Sequence, residues 1–155
     1  MRKLRIYVDT SVIGGYFDDE FSTDTRLLFD EILKGDYKLV VSDLTEKELV
    51  NAPESVRNLL KDLAIDFELI IVTQESIDLA TEYLKEKVVG QTSIDDCIHI
   101  ATATINKVDF LVSWNFKHIV NVFRIRGYNS INLRCGYSQL DIRSPKEIVY
   151  NEDDK

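Results

Sequence analysis

Proline and cysteine are scarce in this chain, with two of each among 155 residues, and glycine is held to six. That excludes collagen-like, low-complexity and mostly disordered chains. Cys97 and Cys135 match neither a CxxC nor a zinc-ligand spacing, so a disulfide framework is not expected and both should be reduced thiols. Long apolar runs are missing too: FELIIV at 67–72 is far too short to cross a bilayer. The opening MRKLRIYVDTSV is basic but turns at once into a strand-like run with an acid. It lacks the apolar stretch and small-residue cleavage site of a signal peptide. The expectation is a cytoplasmic protein with no membrane partner. Its length and 45% hydrophobic content suit one domain over residues 1–150. The acidic NEDDK at 151–155 reads as a disordered tail.

Positive charge is the minority, and it is unevenly spread. Nineteen Lys and Arg stand against 27 Asp and Glu, a net −8. Residues 1–106 carry 11 basic and 21 acidic residues, whereas 107–146 carry 7 and 2. An acidic chain argues against tight non-specific binding to nucleic acid. A local basic segment can still steer a phosphate backbone, especially where a divalent ion neutralises clustered carboxylates.

Hydrophobic periodicity predicts strands at Leu4–Asp9, Tyr37–Ser42, Phe67–Val72 and Asp109–Trp114, with a short fifth at Ile131–Leu133. Helical spacing covers Thr25–Leu33, closed by Gly35, and Gln74–Val88. A helix should open at Asp43 or Thr45, and another should follow Pro53 with Val56, Leu59, Leu60 and Leu63 on one face. Thr92 or Ser93 should cap the helix in SIDDCIHIATATINK. Strands separated by helices imply βαβ crossovers, hence an α/β fold whose mainly parallel sheet of four to five strands is covered on both faces. In such sheets chemistry collects outside the carboxyl ends of the strands.

Four polar residues fall at or near those ends: Asp9, Glu48, Asp96 and Asn115. Singly, each has a plainer role, as a cap, a solvated acid, a helix-dipole partner or a turn residue. Together, three carboxylates converging in one cleft would repel and call for a cation. Hard oxygen ligands suit Mg²⁺ or Mn²⁺.

The segments YVDTSVIGGYF, SDLTEKELVNA and SIDDCIHIATATINKVDFLVSWNFKHI resemble the PIN-domain family, and within it the VapC-like toxin ribonucleases of type II toxin–antitoxin systems. The likeness runs from Ile6 to about Ile119. It implies a three-layer α/β/α fold and a Mg²⁺- or Mn²⁺-dependent endoribonuclease leaving a 5′-phosphate and a 3′-hydroxyl. It selects Asp96 over Asp95 and Glu48 over Glu46, and assigns Asp9, Glu48 and Asp96 to the metal and Asn115 to the catalytic set. It further implies an RNA substrate, a cognate antitoxin and a homodimer. One departure is visible. Where family members often have a T-x-D, this chain has Ser113-Trp114-Asn115, and an Asn keeps an acceptor oxygen but loses a full charge.

Other features carry less. His99 lies three residues after Asp96 and reads first as a hydrogen-bonded histidine in a partly buried helix. Gly14-Gly15 fits no phosphate loop. Lys107, Lys117, Arg124, Arg126 and Arg134 alternate with Phe110, Trp114, Phe116, Phe123, Tyr128 and Tyr137, a pattern that serves stacking on single-stranded RNA or core packing equally. Lys117, Arg124 and Arg126 are the expected phosphate contacts. The rival expectation is a weak or inactive PIN-like module that binds RNA or protein. A phosphatase-like hydrolase ranks third.

Overall fold

A computed structural model describes residues 2–86 and 92–149. Its elements are β1 (Leu4–Val8), α1 (Thr10–Gly15), α2 (Ser22–Lys34), β2 (Tyr37–Ser42), α3 (Asp43–Leu49), α4 (Glu54–Arg57), α5 (Leu59–Asp62), β3 (Phe67–Ile70), α6 (Gln74–Lys85), α7 (Ile94–Ile105), β4 (Phe110–Val112), α8 (Val122–Arg134), β5 (Asp141–Arg143) and α9 (Pro145–Ile148). The five strands form one sheet in the order β3-β2-β1-β4-β5, with every pairing parallel. β1 takes the centre because Ile6, Tyr7 and Val8 are apolar on both faces, and all three are fully buried.

Strand alternation sorts the core into two layers. Ile6, Val8, Leu39, Val41 and Val112 pack with Val12, Ile13, Leu28, Phe29, Ile32 and Leu59 from α1, α2 and α5. Tyr7, Val40 and Leu111 face the other way, onto Leu79, Tyr83, Cys97, Ile100, Ala101 and Tyr128 from α6, α7 and α8. The register sets Tyr7 beside Val40 and beside Leu111. Two residues further on, Asp9, Ser42 and Ser113 therefore leave the sheet on the α7 side.

The chain supplies its own stops. Gly35 ends α2 at φ 91°, a conformation open to glycine at no steric cost. Ser42, Thr73, Ser93 and Asn121 cap α3, α6, α7 and α8 through their side chains. Gly15 has a different duty. A Cβ there would sit 2.8 Å from the indole nitrogen of Trp114 and 3.0 Å from the Thr25 hydroxyl. Gly15→Ala is expected to lower stability by about 1–3 kcal/mol through overpacking. Urea unfolding checks this, as a lower midpoint at unchanged slope.

Three expectations need correction. Ile131–Leu133 is not a strand; it lies inside α8, whose Ile125, Tyr128 and Ile131 recur at helical spacing and turn toward the core. The fifth strand is Asp141–Arg143 instead. The helix after Pro53 is two single turns, α4 and α5, broken at Asn58. The third strand stops at Ile70, two residues early, where the backbone amide of Val72 turns to the Asp43 carboxylate at 2.9 Å. The tail at 151–155 and the end of the 74–88 helix beyond residue 86 lie outside the described residues.

Candidate functional site

β1 runs directly into Asp9, which is buried and caps α1. Its Oδ1 accepts from the Ser11 hydroxyl at 2.6 Å and the Val12 amide at 3.3 Å, and its Oδ2 accepts from the Ser113 hydroxyl at 2.6 Å. Burial pushes the Asp9 carboxyl above the ordinary aspartate range, and the nearby His99 and the three donors offset only part of that. Ser113 also accepts from the Asn115 amide at 2.9 Å, so one hydroxyl joins the end of β1 to the end of β4. Asn115 spends its Oδ1 on the His118 amide at 2.9 Å and turns its Nδ2 toward Asp96 Oδ2 at 3.5 Å. Asp96 stands in the first turn of α7, its amide bonded to the Ser93 hydroxyl at 3.1 Å. Its neighbour Asp95 is exposed.

Glu48 reaches the same place from α3. Its Oε1 takes the Thr10 hydroxyl at 3.2 Å and the Nε2 of His99. Glu46, two residues earlier, lines a separate groove of about 410 Å³ with Leu49, Val56 and Leu60. Burial opposes charge on the His99 ring, but the hydrogen bond to Glu48 and the charges of Asp9, Glu48 and Asp96 carry its pKa above the ordinary histidine value. Burial likewise pushes Glu48 up, and His99 and Thr10 outweigh it, leaving the carboxyl below its usual range. Both shifts favour a charged pair. Behind His99, Nδ1 meets the Tyr7 hydroxyl at 2.5 Å, and that hydroxyl meets Ser42 Oγ at 2.8 Å. Burial raises the Tyr7 pKa far above neutrality, so the phenol keeps its proton.

Three of the residues singled out in the sequence, Asp9, Asn115 and Asp96, thus lie along one hydrogen-bonded path through Ser113. Glu48 joins a second path beside it through Thr10 and His99, outside the carboxyl ends of the central strands β2, β1 and β4. The PIN domain family model matches residues 6–115, a span holding all four. The chain belongs to the PIN domain family. Solved structures with the same fold include VapBC2 from Rickettsia felis bound to a promoter DNA fragment (TM-score 0.59, 14% identity, 91% of this chain and 98% of that one). Another is the sarcin–ricin-loop-cleaving toxin VapC20 from Mycobacterium tuberculosis (TM-score 0.57, 13% identity, 87% and 98%). A toxin–antitoxin complex from Klebsiella pneumoniae is a third (TM-score 0.53, 18% identity, 73% and 88%). No curated protein sequence matches significantly.

The donor chemistry of this PIN domain suits a hard divalent cation. Among the described residues, no three His, Cys, Asp or Glu side chains are gathered into a ready-made ligand set. Mg²⁺ does not require one, since it is commonly held by one or two carboxylates plus water and substrate phosphate. Among the described residues, Glu48 Oε2 and Asp96 Oδ1 carry no hydrogen bond or ion pair, which leaves an oxygen free on each.

Around the site, the PIN domain divides its aromatic and basic residues. Trp114 and Tyr128 are core; Phe116 and Phe123 are exposed, the latter 82%. Lys117 and Arg126 are exposed, and Arg126 lines an open groove of about 750 Å³ with Phe116, Ile125 and Leu140. Arg124 is partly buried and donates to the Thr92 hydroxyl at 2.5 Å. The sequence alone reads His99 first as a structural histidine and gives Tyr7 no role. Their signals were present: His99 shares a helix face with Asp96, and Tyr7 lies two residues before Asp9 on the same side of β1.

Proposed function

We propose that this PIN domain is a Mg²⁺- or Mn²⁺-dependent endoribonuclease acting as the toxin of a toxin–antitoxin pair. The observation that carries the reading is that Asp9 after β1, Glu48 on α3 and Asp96 on α7 all act on the one buried His99 beyond the carboxyl ends of the central strands, with unengaged oxygens on Glu48 and Asp96. Asp9, Glu48 and Asp96 would hold the ion. When bound, such an ion offsets charge on a phosphodiester and makes water a better nucleophile. Ser11 and Ser113 fix the Asp9 carboxylate, and Ser113 fixes the Asn115 backbone in the same stroke. Asn115 orients the attacking water beside Asp96. Lys117, Arg124 and Arg126 contact RNA phosphates, and exposed Phe116 and Phe123 offer faces for bases.

A cognate antitoxin, a homodimer and a cytoplasmic setting complete the proposal. Support for the antitoxin comes from likeness to structures that contain one. Among the described residues no helix is long and apolar enough to cross a membrane. The second reading, a weak or inactive RNA- or protein-binding module, draws on the carboxamide at 115 in place of an acid.

Cleavage of a labelled structured RNA separates them. The expected result is cutting with Mn²⁺ or Mg²⁺, none with EDTA, and a loss of about 100-fold or more in Asp96→Asn. Equal cutting by Asp96→Asn would reveal a contaminating nuclease. No cutting of several RNAs with either metal would favour the binding module.

A further inference from the structure

Helix α7 turns Cys97, Ile100, Ala101 and Ala103 into an apolar layer. Among them stands His99, 2% exposed and using both ring nitrogens. A buried imidazole has to be satisfied at both nitrogens, whereas leucine would fill the same space with no such demand. The partners are drawn from separate elements. Tyr7 comes from the central strand, Ser42 from the end of β2, and Glu48 from α3. Ser42 is itself fixed by the Thr45 amide at 3.3 Å.

The direction of the chain follows from donor and acceptor chemistry. Ionised Glu48 only accepts, so Nε2 carries the hydrogen facing it. Both contacts on Glu48, from Thr10 and from His99, fall on Oε1. Oε2 is thereby left over, held in place by bonds to the other oxygen.

We propose that His99 and Tyr7 are positioning residues for Glu48: Tyr7 fixes the imidazole, and the imidazole takes Oε1 so that Oε2 faces the divalent ion. This rests on the metal-dependent reading above. Outer partners that orient a ligand in this way typically change metal affinity about 10–100-fold when removed.

Mn²⁺ binding measured by calorimetry tests the proposal without requiring turnover. His99→Leu, which loses the donor, should weaken Mn²⁺ binding about 10–100-fold. His99→Gln, whose side-chain amide can donate to Glu48 as Nε2 does, should recover most of the loss. Tyr7→Phe should fall between, and it supplies the test if His99→Leu does not fold. In a Glu48→Gln background, His99→Leu should cause little further loss, because the group it positions is already gone. A folded His99→Leu that binds Mn²⁺ like the wild type overturns the proposal, as does a loss that simply adds to that of Glu48→Gln. Wild-type protein that binds Mn²⁺ but cuts no RNA removes the nuclease reading and leaves this one standing. Wild-type protein that binds no Mn²⁺ removes both.

Discussion

Asp9→Asn is expected to reduce RNA cleavage by about 100-fold or more while leaving the metal-free protein at least as stable as the wild type at pH 7. The first half follows from the loss of a carboxylate charge at the meeting point of β1 and β4. The second follows from burial. Asp9 has a pKa raised by desolvation, so the folded chain binds this proton more tightly than the unfolded chain does. Stability linked to it is present below the ordinary aspartate pKa and is lost as pH rises through the raised value. At neutral pH the buried charge is a standing penalty, which Asn does not carry. The substitution also keeps the hydrogen bonds: Oδ1 can accept from Ser11 and Val12, and Nδ2 can donate to Ser113 once that hydroxyl rotates. Thermal unfolding in EDTA should show the variant level with or above the wild type at pH 7, with the difference shrinking as pH falls toward about 4. A variant markedly less stable at pH 7 would mean that the carboxylate is chiefly a structural cap.

Trp114→Ala should give the largest stability change, about 3–5 kcal/mol as for large aromatic truncations. For a chain of this size that is a fall of roughly 10 °C in unfolding temperature. The indole stacks on Phe21 at 4.3 Å between ring centroids, donates to the Thr25 hydroxyl at 2.9 Å and fills the space left by Gly15. Its backbone amide donates to Ser11 Oγ at 3.0 Å, and Ser11 in turn holds Asp9. Cleavage should therefore fall along with stability. Trp114→Phe keeps the stacking and loses only the indole donor, since the Thr25 hydroxyl still donates to the Phe21 carbonyl at 2.6 Å. Its unfolding temperature should sit much nearer the wild type. If Phe is as damaging as Ala, the indole hydrogen bond outweighs the stacking.

Much of this architecture was legible in the sequence because the decisive elements are long or buried. YKLVVS and LRIYV are too apolar for a surface strand, and Gly35 and Ser93 mark helix ends by ordinary capping chemistry. β5 was not legible. It is three residues with one buried side chain, Ile142, and carries no period to detect. Ile-Asn-Leu at 131–133 looked more like a strand, yet Asn132 is buried in α8, bonded to Tyr83 and to Thr104. At the site, the acids could be picked out by type and spacing. The roles of Tyr7 and Ser42 depend on which side of the sheet each leaves, and that requires the register. The basic stretch divided in a way charge could not foretell: Arg124 bonds to Thr92, whereas Lys117 and Arg126 stay exposed.

The central place of β1 bears on the order of events during synthesis. Asp9 is made well before its partner Ser113, which lies 104 positions later in the chain. At about 5–20 residues per second, roughly 5–20 s separate the two. Until β4 arrives, one flank of β1 is open, and Asp9 lacks its Oδ2 donor and the nearby Asn115. Chemistry that needs Asp9 and Asn115 side by side therefore begins only once β4 has joined β1.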